Sequence, residues 1–215
     1  MHGTEQAKQS NVDTNAMNKI NYGLFLVTAN DNGSDNGCIV NTVSQVTVNP
    51  LQITVNINKD NLTHDMIKSS GKLAVSVLTT SVPFAIFERF GLSSGRSTAK
   101  FEGDLSGEFT RLGNGLYGLS KYANAVIEAD VVETIDCGTH TIFIAKVLQA
   151  QVLNSESSCS YDFYMNQIKP KPAPLTGGAT GYVCKICGYI YDGEVLPPDF
   201  ICPLCKHGVA DFEKR

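Results

Sequence analysis

The chain has no long hydrophobic run and no block of charge of one sign. Its longest apolar stretches, such as residues 141–147, have the length of a strand and fall well short of a membrane-spanning helix. The net charge of the 215 residues is −4, and this balance argues against binding to nucleic acid or to an anionic membrane surface. The N-terminus is polar and carries no apolar signal segment. We therefore expect a cytoplasmic protein with neither membrane nor nucleic-acid partners.

Two nucleotide-binding motifs are also missing. No G-x-G-x-x-G follows a first strand, and no Walker-type loop occurs anywhere. A Rossmann dinucleotide site and a doubly wound parallel sheet are both disfavoured by these absences.

The seven cysteines do not form the even set that a disulfide framework requires. Three of them stand apart in sequence and are interpreted as buried or bystander thiols: Cys38, Cys137 and Cys159. The other four form two Cys-x-x-Cys pairs near the C-terminus: Cys184, Cys187, Cys202 and Cys205. Two such pairs place four thiolates around one tetrahedral site, which suits zinc or iron.

Five aromatic residues surround these pairs in the segment 182–215: Tyr182, Tyr189, Tyr191, Phe200 and Phe212. They are enough to enclose the metal in a dry shell, which is how a protein tunes a redox iron. The alternative is a structural zinc ribbon, since the separation of the pairs is close to that of zinc ribbons. A zinc ribbon that binds nucleic acid would be basic, whereas this segment is slightly acidic.

The same segment resembles a rubredoxin. The resemblance rests on Tyr182-x-Cys184-x-x-Cys187-Gly188-Tyr189-x-Tyr191-Asp192, on Pro198-x-Phe200-x-Cys202-Pro203-x-Cys205 and on Asp211-Phe212-Glu213. The connection between the pairs is shorter than in most independent rubredoxins, and Lys206 stands where the second pair is usually followed by glycine. Both departures are typical of rubredoxin modules joined to larger redox proteins.

The preceding part of the chain reads as a mostly β unit. β-branched, partly alternating runs predict strands at 22–28, 38–48, 51–57, 73–78, 125–132 and 140–152. Short helices are predicted at 61–70 and 81–90, where Gly71 and Gly91 end them. About six strands with short helices favour a closed β barrel, which leaves no exposed sheet edge.

Three polar clusters interrupt these strands. Asn41, Thr42, Ser44 and Gln45 offer amide and hydroxyl groups, and are expected to lie inside the strand 38–48. The second cluster leads from a strand into a helix N-terminus, where free N–H groups and Lys59 favour a phosphate. It consists of Asn56, Asn58, Lys59, Asn61, Thr63 and His64. The third is Gly138-Thr139-His140. None of the clusters is specific on its own.

In their order along the chain these clusters resemble the flavin reductase-like family. The residues that carry the resemblance are Gly23-x-x-x-Val27-Thr28, residues 41–50, residues 55–59, Thr63-His64-Asp65, Val75-x-Val77-Leu78, Ser94-Gly95-Arg96 with Lys100-Phe101, and Gly138-Thr139-His140. The resemblance implies an FMN-binding split β barrel that forms a homodimer. It implies that the flavin ring and ribityl chain are bordered by Asn41, Thr42, Ser44 and Gln45. It implies that the phosphate is held by Asn58, Lys59, Thr63 and His64. By the same resemblance, His140 is a catalytic residue that faces the nicotinamide side of the flavin.

We therefore predict four segments. Residues 1–18 form an N-terminal extension, 19–164 the FMN-binding split barrel with short helices, 165–181 a Pro/Gly linker, and 182–215 a small rubredoxin-like metal module.

The combination resembles the high-molecular-weight rubredoxins. It implies that electrons from NAD(P)H pass through FMN to a Fe(Cys)4 centre, and from there to a soluble partner such as a flavodiiron oxygen or nitric oxide reductase. Two alternatives stay open at this stage. One is a flavin reductase that releases reduced flavin and has a structural zinc tail, and the other is a non-catalytic ligand-binding barrel with a zinc docking module.

Overall fold

A computed structural model of the chain describes residues 13–103, 105, 107–170, 181–185, 188–202 and 208–214. The larger unit contains nine strands: β1 (Phe25–Asp31), β2 (Ser34–Val40), β3 (Val43–Val48), β4 (Leu51–Asn58), β5 (Lys72–Leu78), β6 (Phe109–Arg111), β7 (Tyr117–Leu119), β8 (Ala123–Asp136) and β9 (His140–Val152). Its helical elements are a 3₁₀ turn (Thr14–Lys19), α1 (Leu62–Ser70), α2 (Phe84–Phe87) with a π turn (Glu88–Leu92), and α3 (Tyr161–Phe163) with a π turn (Tyr164–Ile168). Within the described residues, no helix is long and apolar enough to cross a membrane.

Seven of these strands form one antiparallel sheet in the order β2-β1-β5-β8-β9-β4-β3. β2 and β3 are at opposite edges of this sheet, yet only Asn41 and Thr42 separate them in sequence. Three Cα steps span at most about 11 Å, so the sheet must curl until its two edges meet at this point. The result is a barrel that is split between β2 and β3.

This topology corrects one expectation from the sequence. Asn41 and Thr42 do not lie inside a single strand over residues 38–48, because the chain leaves one sheet edge and joins the other there. The crossing is held by β4: the Thr42 hydroxyl donates to the Asn56 carbonyl at 2.8 Å, and the Asn56 N–H donates to the Thr42 carbonyl at 3.1 Å.

The core follows from alternation along the strands. In β4 the side chains of Ile53, Val55 and Ile57 are buried, and they pack with Val27, Val75 and Phe143 of neighbouring strands. α1 covers this inner side with Met66 and Ile67. Because successive side chains of a strand point to opposite faces, the polar residues between the buried ones are on the outer face of β4.

A second cluster lies under α2 and the long connection that follows it, around Phe87, Phe90 and Phe109. This connection also contains the short hairpin of β6 and β7, which is not among the strands predicted from the sequence. Aromatic contacts order it: Phe101 stacks on Tyr117 with ring centroids 4.8 Å apart.

The C-terminal module is a three-stranded sheet in the order β11-β10-β12, made of β10 (Tyr182–Cys184), β11 (Ile190–Tyr191) and β12 (Phe212–Lys214). Its core contains Cys184, Cys202 and Phe212, and the predicted aromatic shell packs on them. Of the predicted linker, residues 165–168 belong to the π turn after α3, and residues 171–180 lie outside the described part of the chain.

Candidate cofactor sites

Three of the predicted residues share the outer face of the barrel wall formed by β3, β4 and β9. Asn58 lies directly opposite His140, and Ser44 lies opposite Thr54, in the antiparallel register. Directly opposed residues project from the same face of a sheet. Ser44 and His140 are exposed and Asn58 is half-buried, so this face offers hydroxyl, amide and imidazole groups to a ligand lying on it.

Asn56 adds an unsatisfied acceptor to the same wall. Its side-chain Oδ1 is buried and has no hydrogen-bond partner within the described residues. Leaving a buried amide oxygen unpaired costs about 1–3 kcal/mol, which a ligand donor such as a flavin ring N–H would recover. Asn56 belonged to the polar cluster in the sequence but was not among the predicted site residues, because strand asparagines rarely stand out.

Asn41 and Gln45 lie apart from this face. Asn41 lines a cleft of about 860 Å³ together with Tyr22 and Tyr161, among other residues. Gln45 is exposed at a register shift of β3, and its Nε2 is 3.5 Å from the Thr47 carbonyl. The cleft is large enough for a flavin ring, whereas the contact predicted for Gln45 stays a prediction.

Thr63 and His64 point into the barrel. The Thr63 hydroxyl donates to Asn36 Oδ1 at 3.0 Å, and both side chains are buried. The two ring nitrogens of His64 lie 2.9 Å from Asp65 Oδ1 and 2.9 Å from the Thr141 hydroxyl. These hydrogen bonds hold α1 against the sheet. Direct contacts of the Thr63 and His64 side chains with a phosphate stay a prediction.

The N-terminus of α1 fits an anion. Asn61 precedes the helix and makes no side-chain cap within the described residues. The His64 N–H donates to the Asn61 carbonyl at 3.0 Å, which leaves the N–H groups of Leu62 and Thr63 as candidates for an anion. Arg96 Nε donates to the Asp60 carbonyl at 3.2 Å, and Lys59 Nζ is 2.7 Å from Asp136. Two cations thus flank this helix end.

Asp65 partly balances Arg96. Arg96 Nη2 is 2.7 Å from Asp65 Oδ2, and hydrogen bonds, first from Arg96 and then from His64, lower the pKa of Asp65. The carboxylate therefore stays ionised at neutral pH and holds the Arg96 guanidinium beside α1. Arg96 belongs to the Ser94-Gly95-Arg96 motif, but its position beside the N-terminus of α1 is seen only in the structure.

Lys100 is almost fully buried and ties the barrel edge to the π turn. Its Nζ donates to the Gly37 carbonyl at 2.9 Å and to the Phe90 carbonyl at 3.2 Å, and burial lowers its pKa. The neighbouring Cys38 is a protonated thiol, since burial raises its pKa to about 11. Lys100 therefore positions residues 88–92 on β2.

In the C-terminal module, the first Cys-x-x-Cys pair begins in a tight turn. The Cys184 N–H donates to the Tyr189 carbonyl and the Gly188 N–H donates to the Cys184 carbonyl, each at 2.8 Å, and Gly188 has a φ of 80°. A left-handed φ there is favourable for glycine only. Cys184 and Cys202 are both fully buried, as thiolate ligands of an enclosed metal are. Cys187 and Cys205 lie outside the described residues, so their place in the ligand set stays a prediction.

Comparisons with known proteins agree with this geometry. Residues 17–169 match the family model described as flavin reductase like domain, and residues 182–213 match the rubredoxin-like domain of rubrerythrin. The high molecular weight rubredoxin of Moorella thermoacetica is 36% identical over 232 residues, covering 94% of this chain and 100% of the relative.

Other relatives match the barrel. The ferric-chelate reductase (NAD(P)H) of Archaeoglobus fulgidus is 40% identical over 166 residues, covering 77% of this chain and 96% of the relative. The solved structure of flavin reductase PheA2 in its native state is 27% identical with a TM-score of 0.54, covering 66% of this chain and 86% of that one. The predicted split barrel with a rubredoxin-like module is confirmed. The chain is an oxidoreductase that combines a flavin reductase-like domain with a rubredoxin-like domain. The protein belongs to the flavin reductase-like family and carries a rubredoxin-like domain at its C-terminal end.

Proposed function

We propose that this chain takes electrons from NAD(P)H into FMN, passes them singly to a Fe(Cys)4 centre, and delivers them to a soluble redox partner. One observation carries the proposal: a single chain contains both a barrel with a polar outer wall and a module with buried cysteines. The cluster of buried residues in this module packs against Leu92 of the barrel. A nicotinamide gives two electrons as one hydride, whereas one iron accepts a single electron. FMN supplies the chemistry that divides the pair.

Different residues would bind different parts of FMN. Arg96, Lys59 and the N–H groups of α1 would hold the phosphate, and Lys59 would exchange its ion pair with Asp136 for it. Asn56 and Asn58 on the outer wall, with Thr42 at the edge crossing, would position the ring and ribityl chain. His140 is exposed beside Asn58, from where it would orient the incoming nicotinamide.

A homodimer and a protein acceptor complete the proposal. Exposed apolar side chains of β8 and β9, namely Val132, Ile135, Leu148 and Val152, give the barrel wall a surface suited to a second copy. The acceptor we propose is a flavodiiron-type reductase of oxygen or nitric oxide, or another soluble protein that accepts single electrons from the iron.

Replacing Arg96 by glutamine should weaken FMN binding roughly tenfold to a hundredfold, because a charge-assisted hydrogen bond to phosphate contributes about 1.5–3 kcal/mol. Fluorescence titration of the flavin-free protein measures the dissociation constant. The matched control is Arg111→Gln, which removes the same charge where it pairs with Asp35. Equal FMN affinity in the parent and the Arg96 variant would exclude Arg96 from the phosphate site.

The visible spectrum and metal content of the purified protein test the function. We expect one iron per chain, with ferric–thiolate absorption superimposed on that of the flavin, and both should bleach when NADH is added without oxygen. A protein that carries zinc alone in the module would contradict the electron relay.

A second candidate function is reduction of free flavin or a ferric chelate by the barrel alone. It is favoured by the Archaeoglobus fulgidus relative, which this chain matches over 96% of the relative's length but only 77% of its own. In that case the metal module would not affect the rate of NAD(P)H oxidation. Replacing its cysteines would then leave the reduction rate unchanged with every acceptor.

A further inference from the structure

Within the described residues, Leu92 and Lys169 of the barrel contact the metal module of the same chain. Leu92, the last residue of the π turn, packs against the cluster of Cys184, Cys202 and Phe212. Lys169 Nζ, just after the second π turn, donates a hydrogen bond to the Lys185 carbonyl at 2.8 Å. Lys185 follows Cys184 directly, so both contacts involve the surroundings of a predicted metal ligand.

We propose that Leu92 and Lys169 form a docking surface on which the metal module of the same chain receives its electron. The electron-transfer part of this inference rests on the proposed function, whereas the docking itself does not. The barrel would hold the flavin as the donor of one electron, and the module cysteines would hold the ferric iron as its acceptor, so the transfer would balance without a further oxidant or reductant. Leu92 is a positioning residue, since it would hold the two centres close without touching the flavin.

The docking surface is joined tightly to the proposed flavin site. Leu92 and Arg96 are four residues apart, so their Cα atoms are separated by at most about 14 Å. Lys100 fixes the turn that ends at Leu92 through the Phe90 carbonyl, and Arg96 is fixed to α1 through Asp65. A module seated on Leu92 is thereby held near the phosphate end of the flavin.

The test compares Leu92→Asp with Val195→Asp in the full chain. Val195 lies in the metal module and is 75% exposed, so Val195→Asp also replaces an apolar side chain by aspartate, but outside the docking surface. Because a charged side chain is disfavoured at this partly buried position and the apolar contact is lost, Leu92→Asp should lower the docked population roughly tenfold or more. Hydrogen exchange of the amides in 88–93 and 182–185 should speed up accordingly, and the Val195 variant should exchange like the parent.

Stopped-flow absorbance supplies the second readout. Reduction of the flavin by NADH should keep its parental rate in Leu92→Asp, while reduction of the iron slows roughly tenfold or more. Parental exchange together with a parental iron rate would overturn the docking surface. If the iron of the parent is never reduced, the proposed function fails, and hydrogen exchange still decides whether the module docks.

Cross-linking in a mixture of light and heavy-isotope chains tests whether the docking is within one chain. A short amine-reactive reagent should join Lys169 and Lys185 in products of a single isotope label. Links found only between differently labelled chains would overturn docking on the same chain and assign the surface to the neighbouring copy.

Discussion

Replacing Cys202 by serine should abolish electron delivery to any acceptor that depends on the metal, while the barrel continues to reduce its flavin. Cys202 is fully buried in the core of the module, and serine is a poor substitute for a thiolate ligand of iron. Loss of even outer partners of a metal site costs roughly 10–100-fold in affinity or activity, so loss of a direct ligand should cost at least that. The steady-state rate with a one-electron protein acceptor measures the effect.

Two controls make this variant informative. Reduction of free flavin by NADH should stay near the parental rate, because the barrel has its own core. Cys159→Ser, a change of the same type at a buried cysteine of the barrel, should leave delivery from the metal intact if the barrel remains folded. Parental rates of acceptor reduction in Cys202→Ser would show that the module is not on the electron route.

Replacing Phe143 by alanine should destabilise the barrel by about 3–5 kcal/mol, the usual cost of truncating a buried aromatic side chain. Phe143 is fully buried opposite Val55, and its ring centroid is 5.4 Å from that of His64. The cavity would also loosen the seat of α1, so FMN affinity should fall with stability. Denaturant unfolding of the flavin-free protein followed by circular dichroism measures the first effect, and flavin titration measures the second.

The matched control for Phe143 is Val48→Ala on β3 of the same sheet. Val48 is 79% exposed and lies outside the surface proposed for the second copy, and exposed positions usually change stability by about 0.5 kcal/mol or less. A loss in Phe143→Ala no larger than that of Val48→Ala would mean that the inner face of the barrel is not the folding core.

The alternation of β4 shows why much of the fold was predictable. Ile53, Val55 and Ile57 alternate with polar residues, and this period alone assigns a strand with one buried and one outward face. The outward position of Asn58 follows directly. The sequence could not show that β2 and β3 are sheet edges, because that depends on pairings with strands far away in the chain.

The predicted flavin residues illustrate the same limit. Thr63 and His64 follow a strand end at a helix N-terminus, a pattern that is typical of phosphate binding, yet their side chains face β2 and β9. Helix orientation about its own axis is set by packing, which a single short helix does not reveal in sequence. Arg96 and Asn56, in contrast, became candidates only when distant segments were brought together.

The metal module was predictable for a different reason. The spacing of two cysteine pairs indicates a metal site by itself, so a ligand set could be predicted with no knowledge of the fold. The structure adds the burial of Cys184 and Cys202 and the contact with Leu92. No sequence pattern indicates that contact, because a single leucine after a helix is equally typical of an ordinary core position.

An anaerobic titration with NADH tests the electron relay most directly. A chain that holds flavin and iron takes up three electrons, so the account predicts an end point of about 1.5 hydride equivalents per chain, with the ferric and flavin bands both lost. An end point of about one equivalent, with the flavin reduced and the metal unchanged, would contradict the relay, because a zinc-loaded or disconnected module accepts no electron.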